Sequence, residues 1–249
     1  MSWFRAWARA GQFALAAAAA AFSRSTYTPE TRTVALRQIY FTVWQVLVGF
    51  TLFSALLSLV VIQITINAAR VYGLASYALE LVFRVLILEL LPLGTALLVA
   101  IRSGSALSTE VALMHASGEL DALARANIDP LQREFVPRVV AAALSVFSLT
   151  VLTCAIAMVL AYIAMYGFSP WGFAEYTHTV ALVFSPPGLA GHALKCIAFG
   201  VAVAVIPIAA GLDATQQLKS APVAVMGGMV RLVLALALIE VLSLAVRYV

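Results

Sequence analysis

The sequence predicts an all-α membrane protein: a helix lying along the membrane interface, then five transmembrane helices, with a polar helix between the second and third. Two observations carry this. The 249 residues are 63% hydrophobic and 10% charged, with a mean hydropathy of +1.02, whereas a soluble domain carries about 25% charged residues. No Asp, Glu, Lys or Arg occurs between Arg37 and Arg70, or between Arg138 and Glu175, and each gap exceeds the ~20 apolar residues that cross a hydrocarbon core. Between those gaps stand Arg102, Glu110, Glu119, Asp121, Arg125, Asp129, Arg133, Glu134 and Arg138. A polar element returned to one side of the membrane is where a water-soluble partner could grip the chain.

The N-terminal segment imitates a secretory signal, with Arg5 and Arg9 ahead of Phe13, Leu15 and the alanine run Ala16 to Ala21. Against that reading, Trp3, Phe4 and Trp7 occupy the stretch that should be polar. Trp3, Trp7 and Gly11 recur at helical spacing beside the arginines, the pattern of an uncleaved interfacial helix over Ser2 to Phe22, within residues 1–24. The spans follow at about 38–66, 81–101, 139–166, 189–212 and 223–246, separated by turn signals at Tyr72-Gly73, Gly167 to Pro170, Ser185 to Gly188 and Ala221-Pro222. The second span is the least clean, holding Arg84 and Glu89, and the fifth holds Arg231 and Glu240.

Arginine and lysine set the orientation. Arg5, Arg9, Arg24, Arg32, Arg37, Arg102, Arg125, Arg133, Arg138 and Lys219 all fall on one side of a five-span arrangement, leaving Arg70, Arg84 and Arg247 on the other. The positive-inside rule makes the N-terminus cytoplasmic and the C-terminus exterior. The net charge of +4 and pI near 9.3 follow from that topology, and with no basic cluster they do not point to nucleic acid.

Several classes of chemistry lack their apparatus. Lys195 and Lys219 follow leucines, so no phosphate-binding G-x-x-x-x-G-K-[ST] can be written, and neither G-x-S-x-G nor H-E-x-x-H occurs. His115, His178 and His192 have no metal-ligand spacing, so no metal site is expected. Cys154 and Cys196 sit in apolar runs as small buried hydrophobes, and a disulfide between them is not expected. No catalytic residue is assigned, and the chain is not expected to be an enzyme.

The segment 108–130 reads as a distinct region. Gly104, Ser105 and Ala106 permit close helix packing. Glu119 to Leu123 forms a short amphipathic helix, and Ile128-Asp129-Pro130 stops it, since a residue before proline is disfavoured in a helix. On composition alone it could equally be an ordinary solvated loop.

Glu89 to Pro92, Thr95 to Leu98, Arg102-x-Gly104-Ser105-Ala106, Glu110, Met114, Glu119 to Leu123, Ile128 to Pro130 and Val136-Pro137-Arg138 occur in an order that resembles the MlaE-type permease subunits of Mla/Mce lipid ABC transporters. The resemblance extends from Arg37 to the end of the chain, as one permease domain over residues 1–249. It departs from the family's Arg-Glu-Leu-Gly-Pro at Leu88 to Pro92 and from its Gly-rich stretch at Thr215 to Pro222, and Glu240 stands for a frequent Asp.

The resemblance implies a homodimer in the bacterial inner membrane, two cytoplasmic ABC ATPases binding ATP and Mg, a periplasmic Mce-domain partner, and a phospholipid held between the permease copies. No cofactor is implied for this chain. ATPase coupling would fall to Glu110, Met114, Glu119, Asp121, Leu123 and Asp129. The lipid pathway is expected near Leu56, Val60, Gln63, Leu93 and Leu97, because the first span is charge-free for longer than the bilayer requires.

Charge at the bilayer centre costs about 2.5–3.5 kcal/mol on insertion scales and marks a cavity or an internal pair. Glu89, Lys195 and Glu240 are the candidates; Arg84, Arg231 and Arg247 are expected to snorkel or pair near helix ends. Glu89 also supports an alternative from another class, a proton-coupled secondary carrier in which it titrates. A membrane scaffold or enzyme is the third reading, and the lack of His, Asp and Cys clusters counts against an enzyme.

Overall fold

The computed structural model describes residues 2–21, 29–44, 47–213 and 221–248, and every regular element among them is helical. The elements are α1 (Ser2–Ala21), α2 (Pro29–Ile39), α3 (Leu47–Val71), α4 (Ala75–Ala116), α5 (Glu119–Arg125), α6 (Leu131–Tyr166), α7 (Phe173–Val183), α8 (Pro186–Leu212) and α9 (Ala221–Tyr248). Among the described residues five helices are long and apolar enough to cross a membrane: α3, α4, α6, α8 and, over Val225–Arg247, α9.

The helix boundaries differ from the charge-gap reading in instructive ways. The first long helix runs Leu47–Val71 rather than 38–66, carrying the exposed Arg70 in its last turn, where a long cationic side chain can lie along the helix and reach water. The second extends far beyond 81–101. At about 1.5 Å per residue its 42 residues span roughly 60 Å, twice a hydrocarbon core of about 30 Å. Helix α7 was not anticipated at all. Residues 22–24 of the expected N-terminal helix, and Lys219, lie outside the described residues.

Prolines shape α4 and α6. Pro92 has no N–H for the carbonyl of Leu88, so the turns before it widen into a π-helical stretch, Val82–Leu90, and the Leu91 N–H reaches back to the Leu86 carbonyl. The Ile87 carbonyl, which Leu91 would serve in an α-helix, accepts instead from the Cys154 thiol of α6 at 3.6 Å. The same widening precedes Pro137, over Leu131–Phe135.

Helix α8 is the most enclosed of the five, packed against α6, α9 and the lower part of α4. Its approach to α6 depends on Gly200, where a Cβ would run into the Ala143 backbone. The core stacks in three tiers. Ile62, Phe83, Leu86 and Ala157 fill the end near α7; Phe50, Ala96, Val146, Phe199 and Leu236 fill the middle; Leu107, Val111, Phe135 and Ile208 fill the end near α5. Buried hydroxyls bond back along their own helices, Thr95 to the Leu91 carbonyl, Ser145 to Ala141 and Thr150 to Val146, which is how polar side chains are satisfied in a span.

Helix α1 lies against α6 and α8. Ala10 and Ala17 are buried, and Phe13 meets Phe135 edge-on with ring centroids 5.9 Å apart. A small-residue face and Phe13 thus seat this helix on the bundle.

Candidate functional site

Two polar constellations stand at opposite ends of the bundle. The first gathers where α4, α5, α6 and α8 meet. Helix α4 continues through Ala116 and ends at Gly118, whose φ of 74° provides the left-handed turn into α5. Asn127, at φ 56°, makes the corresponding turn after α5. Asp129 then accepts a bond from the Leu131 N–H at 2.9 Å, an Asx turn that starts α6.

The lower part of α4 is clamped on several sides. Arg138, only 7% exposed, bonds Glu134 Oε2 at 2.6 Å in its own helix and Glu110 Oε1 at 2.9 Å across to α4. Gly211 of α8 lies so near that a Cβ there would sit 2.7 Å from the Ser108 carbonyl. At Gly104 a Cβ would meet Pro207 and Leu232 at ordinary contact, so the packing there does not depend on a glycine. Asp213, at the end of α8, is held by Arg9 Nη1 at 2.8 Å and faces Arg231 Nη1 at 3.6 Å.

In this region Glu119 and Asp121 are exposed on α5, Leu123 is half-buried, and Leu120 turns inward. Glu110 and Asp129 are also exposed. Met114 is the exception among the residues expected to meet a partner. It is buried with Leu107 and Val111, because it lies on the inward stripe of α4.

The second constellation lies inside the spans, toward the α7 end. Glu89 sits in the π-helical stretch of α4, and Lys195 lies nine residues into α8, about 14 Å from its start. The Lys195 ammonium is ion-paired with Glu89 Oε2 and lies 3.2 Å from Glu240 Oε2 of α9. Arg247, two turns beyond Glu240, bonds Glu89 Oε1 at 3.2 Å. Lys195, Glu89 and Glu240 are 4%, 9% and 8% exposed. Two carboxylates and two cations balance, as buried charge requires.

The sequence had singled out Glu89, Lys195 and Glu240 separately; the structure brings them together. Arg247 and Arg84, expected to snorkel or pair near helix ends, both pair: Arg247 reaches inward to Glu89 at 3.2 Å, and Arg84 meets Glu80 one turn away, at 2.7 Å. Glu240 and Arg247 are seven residues apart on one helical face, which was the available signal.

The residues expected to line a lipid path lie on two helices. Leu56, Val60 and Gln63 lie on the exposed outer face of α3, while Leu93 and Leu97 are half-buried against the middle core tier. Cys154 and Cys196 are both free and buried. Among the described residues no group of three or more His, Cys, Asp or Glu side chains is arranged to hold a metal ion.

Comparison with known proteins agrees with the sequence resemblance. The profile of the family described as Permease MlaE matches residues 35–246, and the chain belongs to that family. A protein of Synechocystis sp. (strain ATCC 27184 / PCC 6803 / Kazusa), named as an ABC transporter permease, is 31% identical over 134 residues, 53% of this chain and 50% of the relative. The intermembrane phospholipid transport system permease protein MlaE of Haemophilus influenzae is 44% identical over 77 residues, 31% of this chain and 30% of that protein. The chain thus spans half or less of the length of these relatives.

Proposed function

We propose, with membership of the MlaE permease family as the premise, that this chain is the membrane subunit of an ATP-driven transporter that moves phospholipid between bacterial membranes. The observation that carries the reading is α4. One continuous helix links the buried Glu89 to Gly118, the hinge of the exposed helix α5. A displacement of α5 by a nucleotide-driven partner would be delivered along α4 to the α7 end. The Arg138 bonds and the Gly211 contact would carry it into α6 and α8 as well.

In this reading the ATPase supplies the chemistry and docks on Glu119, Asp121 and Leu123, while Glu110 keeps α4 attached to α6 through Arg138. The chain acts as a homodimer, and twofold closure is the commonest way to complete a half-pathway. The exposed faces of α3 and α9 are the surfaces available to a second copy or to lipid, since only 22% of each apolar window is buried. Leu56, Val60 and Gln63 would then face the lipid, with Leu93 and Leu97 behind them. An Mce-domain partner sits at the α7 end, in the periplasm, and the arginine-rich end faces the cytoplasm.

Replacing Asp121 and Leu123 together with alanine tests the coupling. Both side chains leave the core tiers intact, so the variant should insert and melt normally, yet recover little of the ATPase when purified. Full recovery of the ATPase would overturn the docking assignment.

A further inference from the structure

Between α7, the first half of α8 and the last turns of α9 lies a cavity of about 690 Å³, within the usual range of roughly 300–1,000 Å³ for small-molecule sites. Its polar lining is cationic: Arg84, Lys195 and Arg247, with His192 beside them. The carboxylates that neutralise these groups, Glu80, Glu89 and Glu240, do not line it. The group sums close to zero, yet presents its positive side to the cavity.

A further feature points the same way. Ser185, Pro187 and Gly188 line the cavity at the start of α8; Pro186 and Pro187 have no N–H and Leu189 bonds the Ser185 carbonyl at 2.9 Å, so the positive end of this 27-residue helix is offered through the Gly188 N–H. His192 stands half-buried in the same wall, its Nε2 3.7 Å from the Cys196 sulfur. The rest of the wall is apolar, including Leu182, Leu194, Leu242 and Val246, all well exposed at the side of the bundle. The mouth therefore opens where acyl chains would lie.

We propose that this cavity binds an anionic phospholipid arriving sideways from the bilayer, its phosphate against Arg84 and Arg247 and its tails along Leu182 and Leu242. The proposal rests on the lipid-transport reading and adds a site within one chain, apart from the α3 face. An anionic headgroup is favoured over a zwitterionic one because no carboxylate faces the cavity to meet a choline or ethanolamine cation.

Gly191 offers a clean test. It lines the cavity, and a Cβ there meets nothing within 4 Å, so Gly191→Phe fills the space without displacing a wall. The purified full chain in nanodiscs is labelled with phosphatidylglycerol bearing a diazirine on one acyl chain, and in parallel with phosphatidylcholine of the same chains. Adducts should map to α8 and α9 around Leu194 and Leu242, about tenfold stronger for phosphatidylglycerol, the worth of one charge-assisted hydrogen bond. They should fall similarly in Gly191→Phe. Ser243→Phe, filling the cavity from α9, serves as the second variant should the first not fold. Equal labelling by the two lipids would overturn the proposal, as would labelling unchanged by a folded filling variant, or displacement by millimolar inorganic phosphate, the mark of a soluble-anion site. The assay uses no ATP and no partner, so its failure is separate from a failure of the transport reading.

Discussion

The two ends of this bundle handle charge in opposite ways. At the α5 end Arg138, Glu134 and Glu110 form a network whose outer member is exposed, and the Arg138–Glu134 pair lies within one helix, four residues apart. Toward the α7 end Glu89, Lys195, Glu240 and Arg247 come from three helices; the first three are nearly sealed from solvent and Arg247 is partly exposed, with Arg247 and Glu89 lying 158 residues apart in the chain. The first arrangement tolerates adjustment, because water can replace a lost partner. The second cannot lose one member without stranding another in a dry interior. A subunit that receives motion at one end and holds its spans in register at the other would be built this way.

The contrast is broken most severely at Lys195. Lys195→Met leaves Glu89 with only Arg247 and Glu240 with no cation, and removing one partner of a buried pair costs about 3–5 kcal/mol. A large drop in thermal stability in detergent is expected, read by tryptophan fluorescence. It should be partly restored when Glu240→Gln is added, because the stranded charge is then gone. A melting point unchanged in the single variant would mean that the cluster is hydrated rather than sealed.

Arg138→Gln should do less. Glu110 is exposed and Glu134 partly so, leaving a loss of about 1 kcal/mol for a partly solvated charged bond. Its signature is local: faster amide hydrogen exchange over Ser105 to Ala116, with α9 unchanged. Uniform protection loss through every span would contradict the clamp. Arg9→Gln is the smallest, since Arg9 is largely exposed and surface pairs contribute about 0–1 kcal/mol. Its expected effect is confined to protease sensitivity of α1, and a stability loss as large as that of Lys195→Met would erase the distinction between the two ends.

The same contrast explains what could be read in the sequence. Charge gaps report burial in lipid, which acts residue by residue, so the long apolar helices and the polar segment between α4 and α6 were legible. A helix over Glu119 to Leu123 was legible too, although it ends at Arg125 with the turn at Asn127, before Asp129-Pro130. Helix ends were less so, because a helix does not stop where charge begins: α4 runs on to Ala116 past Arg102, and α3 takes in Arg70. Helix α7 was hidden behind turn signals on both sides. It is held by aromatic packing, with Tyr176 edge-on to Phe83 and donating its hydroxyl to the Met158 carbonyl at 3.0 Å, and burial pushes that phenol up to about 12. The far-end cluster could be suspected residue by residue from Glu89, Lys195 and Glu240. The seven-residue spacing puts Arg247 on the face of Glu240, but that it meets Glu89 depends on how α4 and α9 pack, which no local pattern encodes.

The central claim is that force applied at α5 drives lipid movement. Its most direct measurement is transfer of a headgroup-labelled phospholipid by proteoliposomes holding this chain with its ATPase and Mce-type partners, compared between the intact chain and the Asp121→Ala, Leu123→Ala double variant. The account predicts transfer that requires ATP hydrolysis in the first and is lost in the second, with the variant still folded and inserted. Transfer that proceeds without the ATPase and follows an imposed proton gradient would contradict it and return Glu89 to the role of a titrating carrier group.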